Sequence, residues 1–298
     1  MKIIAFPPLL LQMLVCSFLW ASAFILMKLA GLSLSPPALA AIRGLMGGLL
    51  IGLWIVAFTR HPLLPRGRDL RDWLLLGLLQ GVIPNTLTVY ALMRIPAGLT
   101  SMIQASTPLI VAILAQCLFA SEKLTRRRLL GLGIGFSGMA LLLGPNAFSS
   151  ASQQAIDMAG AGAMLIVAVS YAFGNVYVRY IPSPEPIRLA FGQQLLSGLP
   201  CLGLALWQGG GGAFMPALDS WPLLLVLGVF GTALPIVLYM HILHKAGPTI
   251  GSMNGYFLPP WTIILGFLLL GEAISPREII ATAIVLTGVA IVSRRPAS

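Results

Sequence analysis

The chain has 298 residues, 58% of them hydrophobic and 9% charged, with a formal net charge of +10 at pH 7. Soluble domains carry about a quarter charged residues, so the composition excludes a water-soluble enzyme or binding module and points to a polytopic membrane protein. The positive charge does not indicate nucleic acid, because the basic residues lie in short clusters between apolar runs and form no continuous face.

Crossing a hydrocarbon core of about 30 Å takes roughly 17 to 25 apolar residues in a helix. Ten windows reach or come within a residue of that length, running approximately 9–30, 37–58, 73–93, 99–120, 128–145, 158–178, 187–207, 221–243, 249–270 and 278–293 in chain order. The first contains Ala21–Ser22–Ala23, which has the look of a signal-peptidase site, but its apolar run continues to Ala30 and nine windows follow, so it reads as a span. Cys16, Cys117 and Cys201 all fall inside windows and read as packing residues, not as disulfide or metal ligands.

Short loops carry Lys and Arg on the cytoplasmic side of a membrane. With the N-terminus inside, the inner loops hold most of the basic residues, including Arg60, Arg66, Arg68, Arg71, Lys123, Arg126–Arg128 and Arg188, while the outer loops hold Lys28, Arg94 and Arg277. Both termini are therefore expected in the cytoplasm.

A shift of 150 or 151 residues lays the second half of the chain on the first. Trp20 falls on Tyr171, Lys28 on Arg179, Gly77 on Gly228 and Pro84 on Pro235, while Glu122 matches Glu272 and Gly138 matches Gly288. The expected fold is thus all-α, with ten transmembrane helices in two five-helix repeats, residues 1–146 and 147–298. Because five is odd, the copies have opposite orientation, an arrangement that places a substrate site between the halves near the bilayer midplane.

The segment 247–260, GPTIGSMNGYFLPP, is rich in helix-weakening residues. Gly247, Gly251 and Gly255 recur every four residues and predict one smooth helix stripe, matched by Ala97, Ser101 and Ala105 in the first half. Both copies then carry an amide, Gln104 and Asn254, and both meet proline in mid-span, at Pro108 and Pro259. Proline leaves a backbone carbonyl without its helical donor, which in lipid is tolerated only where it faces protein or water. Those helix parts, with Pro84 and Pro235, are expected to act as hinges around a central cavity.

The run WASAFILMK at Trp20 to Lys28, AAIRG at Ala40 to Gly44, and the paired helix endings FASEKLT and LLGEAIS resemble the drug/metabolite transporter superfamily, and within it the ten-helix EamA branch. The resemblance covers nearly the whole chain. It implies a bacterial inner-membrane carrier of small metabolites, often amino acids, working by alternating access with a cavity lined by the first, third, fourth, sixth, eighth and ninth helices. Export is the direction it suggests.

Candidate substrate-binding residues are Trp20, Ser22, Asn85, Tyr90, Gln104, Tyr171, Asn175, Tyr239, Asn254, Tyr256 and Trp261, an aromatic wall with amides suited to a partly apolar zwitterion. Arg43 is the one charged residue well inside a window. Snorkelling to the outer interface, a structural hydrogen bond and a role in holding a substrate carboxylate all remain open for it. Each aromatic or amide is also accounted for by plain helix packing. Lys28 and Arg179 read as anchors at helix ends. Glu122 and Glu272 read as turn residues pairing with Lys123, Arg126 and Arg277, and Ser275 with Glu278 as a capping box.

No residue set calls for a cofactor or metal, and nothing resembles the nucleophile, base or metal cluster of an enzyme. The expected partners are a small-molecule substrate and the lipid bilayer, without nucleic acid, in a monomer or weak dimer. Carboxylates lie at loops or helix ends, which favours facilitated diffusion or weak coupling. The alternatives are a proton-coupled drug-efflux carrier and a non-transporting membrane scaffold.

Overall fold

The structure is a computed structural model, and it describes residues 6–119, 125–143, 157–182, 185–272, 274 and 276–293. Among the described residues every regular element is helical. The expected turn at Glu122 and Lys123 and the capping box of Ser275 with Glu278 rest on residues or side chains outside this set.

In chain order, α1 is Phe6–Ala30 and α2 is Pro36–Phe58. Helix α3 (Asp69–Gly77) passes through a π turn, Leu78–Val82, into α4 (Ile83–Leu92). Helix α5 (Ala97–Gln104) and α6 (Thr107–Leu118) are separated by a two-residue turn, and α7 covers Arg126–Leu143. Then come α8 (Met158–Val178), α9 (Pro186–Gly209) and the single turn α10 (Pro216–Asp219). Helix α11 (Trp221–Gly228) passes through a second π turn, Val229–Ala233, into α12 (Leu234–Ser252). A 3-10 segment, Met253–Phe257, leads to α13 (Leu258–Leu270), and α14 is Pro276–Ser293.

Local chemistry sets these bounds. Prolines fill the first turns of α2, α6, α9, α11 and α13, where the missing N–H has no helical partner to lose, whereas Pro84 of α4 and Pro235 of α12 follow directly on the π turns. Asp157 caps α8 by accepting the Gly160 N–H at 2.8 Å. Gly271, in the left-handed region at φ 65°, ends α13 and lets the Glu272 N–H turn back to the Gly266 carbonyl at 3.1 Å.

Seven helices among the described residues are long and apolar enough to cross a membrane, and two shorter apolar stretches, Leu129–Gly138 and Ile279–Gly288, lie in α7 and α14. The longest, Trp221–Leu270, is bent apart at Gly247, which has φ 78° and ψ 170°. This corrects the expected glycine stripe. Gly247 is the break itself, and beyond it Gly251 faces Leu243 of the same α12, so the two parts of the segment pack on each other. Gly255 sits in the 3-10 segment against Pro108.

Packing repeats across the two halves. Helix α2 packs most extensively on α9 and α7 on α14, while α1 lies on α12 and α13 as α8 lies on α4 and α6. At the α2–α9 crossing, Gly198 abuts Leu45 and Gly48 abuts Leu195, a reciprocal pair at a shift of 150. Large side chains such as Trp54, Trp207 and Trp221 stand exposed on the outside, as lipid contact requires.

Candidate functional site

The two π turns define the middle of the molecule. The π register sends the N–H before each proline to the carbonyl five residues back, Ile83 to Leu78 and Leu234 to Val229. The proline itself supplies no N–H, so together they leave the carbonyls four and five residues before the proline without a helical donor. Before Pro84 these are Gln80 and Leu79. Ser170 of α8 donates its hydroxyl to the Leu79 carbonyl at 2.7 Å, and Gln193 of α9 donates Nε2 to the Gln80 carbonyl at 3.3 Å. Before Pro235, Arg43 of α2 brings Nη2 to the Gly231 carbonyl at 3.5 Å and donates Nε to Thr232 Oγ1 at 3.2 Å. The Thr232 hydroxyl in turn donates to the Leu227 carbonyl at 3.0 Å, and Arg43 Nη1 meets Met27 Sδ at 2.7 Å. Arg43 is buried at 6% exposure, so it does not snorkel to an interface.

A polar and aromatic cluster joins these turns. Gln80 Nε2 donates to Asn175 Oδ1 at 2.8 Å. Tyr239 lies beside Asn175 and packs edge-on to Trp20, ring centroids 4.7 Å apart. Tyr171 is within electrostatic reach of both Arg43 and Tyr239. Asn254 Nδ2 donates to Cys16 Sγ at 3.7 Å, and the Cys16 thiol donates to the Pro235 carbonyl at 3.4 Å. Gln80, Asn175, Gln193 and Asn254 are all at 5% exposure or below.

Four of these amide atoms are buried without a protein partner: Gln80 Oε1, Asn175 Nδ2, Gln193 Oε1 and Asn254 Oδ1. Leaving such a group unsatisfied costs about 1–3 kcal/mol, so this cluster is where the buried interior most lacks polar partners. Three of the four are acceptors.

Of the expected site residues, Trp20, Arg43, Tyr171, Asn175, Tyr239 and Asn254 come together here. Ser22 does not join them, because its hydroxyl turns back to the Leu19 carbonyl at 2.8 Å. Tyr90 lies under the Arg94 guanidinium, 4.3 Å from the ring centroid, at the far end of α4. Tyr256 packs on Gly135 of α7 with its hydroxyl unpartnered, Trp261 packs edge-on to Phe18, Asn85 is buried on α4, and Gln104 is half-buried at the end of α5. Sequence reasoning missed Gln80, Ser170, Thr232 and Cys16 and gave Gln193 no role. A usable signal existed, since Gln80 lies four residues before Pro84.

Prolines 84 and 235 follow the π turns, and Pro108 and Pro259 open α6 and α13 just after the other two interruptions. Each end of the molecule carries ion pairs. Glu272 does not pair with Arg277, whose Nε donates to the Leu141 carbonyl. It pairs with Lys28 at 2.5 Å and also accepts the Ala97 N–H at 3.4 Å, because the Gly271 turn swings it over the start of α5. Nearby, Arg94 pairs with Asp157 at 2.9 Å. The Asp157 carboxyl is held below the usual carboxylate range, first by the Gly160 N–H and then by Arg94. At the opposite end Arg188 grips Asp69 at 2.6 Å and the Pro62 and Leu64 carbonyls, and His61 pairs with Glu185 at 3.0 Å.

The chain matches the EamA-like transporter family twice, at residues 8–144 and 158–294. It is 26% identical over 276 residues to the "uncharacterized inner membrane transporter YedA" of Escherichia coli K12, covering 92% of this chain and 87% of that one. It is 28% identical to a WAT1-related chloroplastic protein of Arabidopsis thaliana, covering 93% and 67%, and 25% identical to a "probable terminal-alkyne amino-acid exporter" of Streptantibioticus cattleyicolor, covering 93% and 90%. A chain in a solved crystal structure shares the fold, with a TM-score of 0.73 over 96% of each chain at 18% identity. With both halves matched, this polytopic helical chain belongs to the EamA-like transporter family of membrane proteins.

Proposed function

We propose that the chain is a bacterial inner-membrane carrier that exports amino acids or related amphiphilic amines by alternating access to the buried polar cluster. In this reading ten spans form two inverted five-helix repeats, residues 1–146 and 147–298, with both termini in the cytoplasm. The π turns at Leu78–Val82 and Val229–Ala233, offset by 151, the reciprocal glycine contacts of α2 with α9, and the doubled family match support it. The names of the Escherichia and Streptantibioticus relatives support the membrane and the direction.

One observation carries the substrate class: the unpartnered oxygens of Gln80, Gln193 and Asn254 lie in a cluster with the rings of Trp20, Tyr171 and Tyr239. Amide oxygens accept N–H donors and aromatic faces attract ammonium groups. The substrate amine is therefore the group held, with its apolar part against the rings. In proteoliposomes, amino acids and their decarboxylated amines should both show saturable uptake with counterflow. Asn254→Ala and Tyr239→Ala should each raise the half-saturating concentration by about tenfold, from a lost hydrogen bond or cation–π contact. Flux linear in concentration would instead mean a pore.

A second reading, proton-coupled drug efflux, is favoured by Asp72. This carboxylate is buried in the first turn of α3 and receives the Tyr177 hydroxyl at 2.7 Å beside Arg71. Accumulation that follows an imposed pH gradient and disappears in Asp72→Asn would select it.

A further inference from the structure

Arg43 and Gln193 stand 150 residues apart, at matching places on α2 and α9, the helices that cross at the centre of the molecule. Each reaches out of its own half into the π turn of the other. Gln193 donates to the carbonyl of Gln80, four residues before Pro84, and Arg43 to the carbonyl of Gly231, four residues before Pro235. Both recipients are orphaned by a proline in the same way, and both donors are buried.

The difference in side chain is compensated locally. Where the first turn has Gln80, the second has Gly231, its counterpart at a shift of 151. The room left by the absent side chain is taken up from the other side, because Arg43 extends beyond Gly231 to Thr232 and Met27. A glutamine facing a glutamine in one copy corresponds to an arginine facing a glycine in the other.

We infer that Arg43 and Gln193 are a matched pair of positioning residues, each capping the proline-orphaned carbonyl of the opposite half and so holding both hinges in register, and that Arg43 is not the seat of a substrate carboxylate. The inference goes beyond the carrier reading, since it assigns a role to Arg43 that does not depend on which solute is moved. Three of the guanidinium's five N–H donors engage Thr232, Gly231 and Met27, which fixes its plane at the hinge, and the free acceptors of the cluster are left for the substrate.

The test uses the full chain in detergent and in proteoliposomes. A glutamine at 193 reaches its carbonyl, so Arg43→Gln should reach Gly231, whereas Arg43→Leu and Gln193→Leu cannot donate. Amide hydrogen exchange is the first readout, and it is independent of transport. Arg43→Leu should speed exchange in residues 229–237 and Gln193→Leu in residues 78–86, each in the opposite half and by about tenfold or more, as the loss of a buried hydrogen bond implies. Arg43→Gln should leave exchange near the wild-type rate. Acceleration confined to each residue's own helix would overturn the pairing. The second readout compares an amino acid with its decarboxylated amine: Arg43→Gln should transport both with unchanged preference. A selective loss of affinity for the amino acid, with the amine spared, would overturn the assignment and restore Arg43 as a carboxylate ligand. Should wild-type protein move no solute, the carrier reading fails, while the exchange measurement still decides this one.

Discussion

The two π turns share a backbone shape and differ in what secures it. At Leu78–Val82 two neutral donors from the other half, Ser170 and Gln193, serve consecutive carbonyls. At Val229–Ala233 one cation serves the turn, and the position matching Ser170 is Leu19, which has no donor to give. Their flanks differ in the same sense: Gly174 on α8 makes room for Gln80, while its counterpart Ala23 on α1 lies against Gly231. The halves hold one geometry with unlike side chains. What they have in common is the proline and the bond it removes.

This comparison can be broken at the axis between the halves. A Cβ on Gly198 would stand 2.6 Å from the Leu45 nitrogen, which is backbone and cannot yield, whereas on Gly48 it would stand 3.2 Å from the Leu195 nitrogen. Gly198→Ala should therefore cost about 1–3 kcal/mol and Gly48→Ala distinctly less, read as thermal melting in detergent. Equal effects would mean the crossing is symmetric after all.

A smaller effect sharpens the contrast between the turns. Ser170→Ala leaves the Leu79 carbonyl buried without its donor, for a loss of about 1–2 kcal/mol. The accompanying rise in hydrogen exchange should be confined to the first turn, since the second never had that bond. The least effect is expected at the ion-paired end. The folded-state pKa of Asp157 is depressed, so its contribution is present above the unfolded value of about 3.9 and is lost as pH falls through the folded value. Asp157→Asn should melt slightly below wild type at pH 7, where the charged carboxylate contributes, and the two melting curves should converge as the pH falls through the folded value.

Sequence showed a good deal of this. The helix windows were legible because apolar runs of span length are scarce by chance, and the register of the halves was legible because Pro84 and Pro235 keep their spacing. The glycine stripe was misread because a repeat of four presumes an unbroken helix, and Gly247 at φ 78° breaks it. Gln80 went unseen, and Gln193, near the position matching Arg43, was given no role, for a different reason. An amide within an apolar helix has no periodicity to betray it, and its partner is chosen by a crossing more than a hundred residues away in sequence. Trp20 and Tyr171 were singled out because they are bulky and paired, and the fold places both near the polar cluster, while Ser22 looked equally polar and turned out to bond only its own helix.

The left-handed glycine after α13 has a wider reach than ending a helix. By placing one carboxylate between the ammonium at the close of α1 and the first amide of α5, it knots three helices drawn from both ends of the chain. Parting α13 from α1 costs the acid its Lys28 partner, and parting it from α5 costs it the Ala97 N–H. One oxygen thus serves two neighbours, so neutralising Glu272 weakens the tie of α13 to α1 and to α5 together.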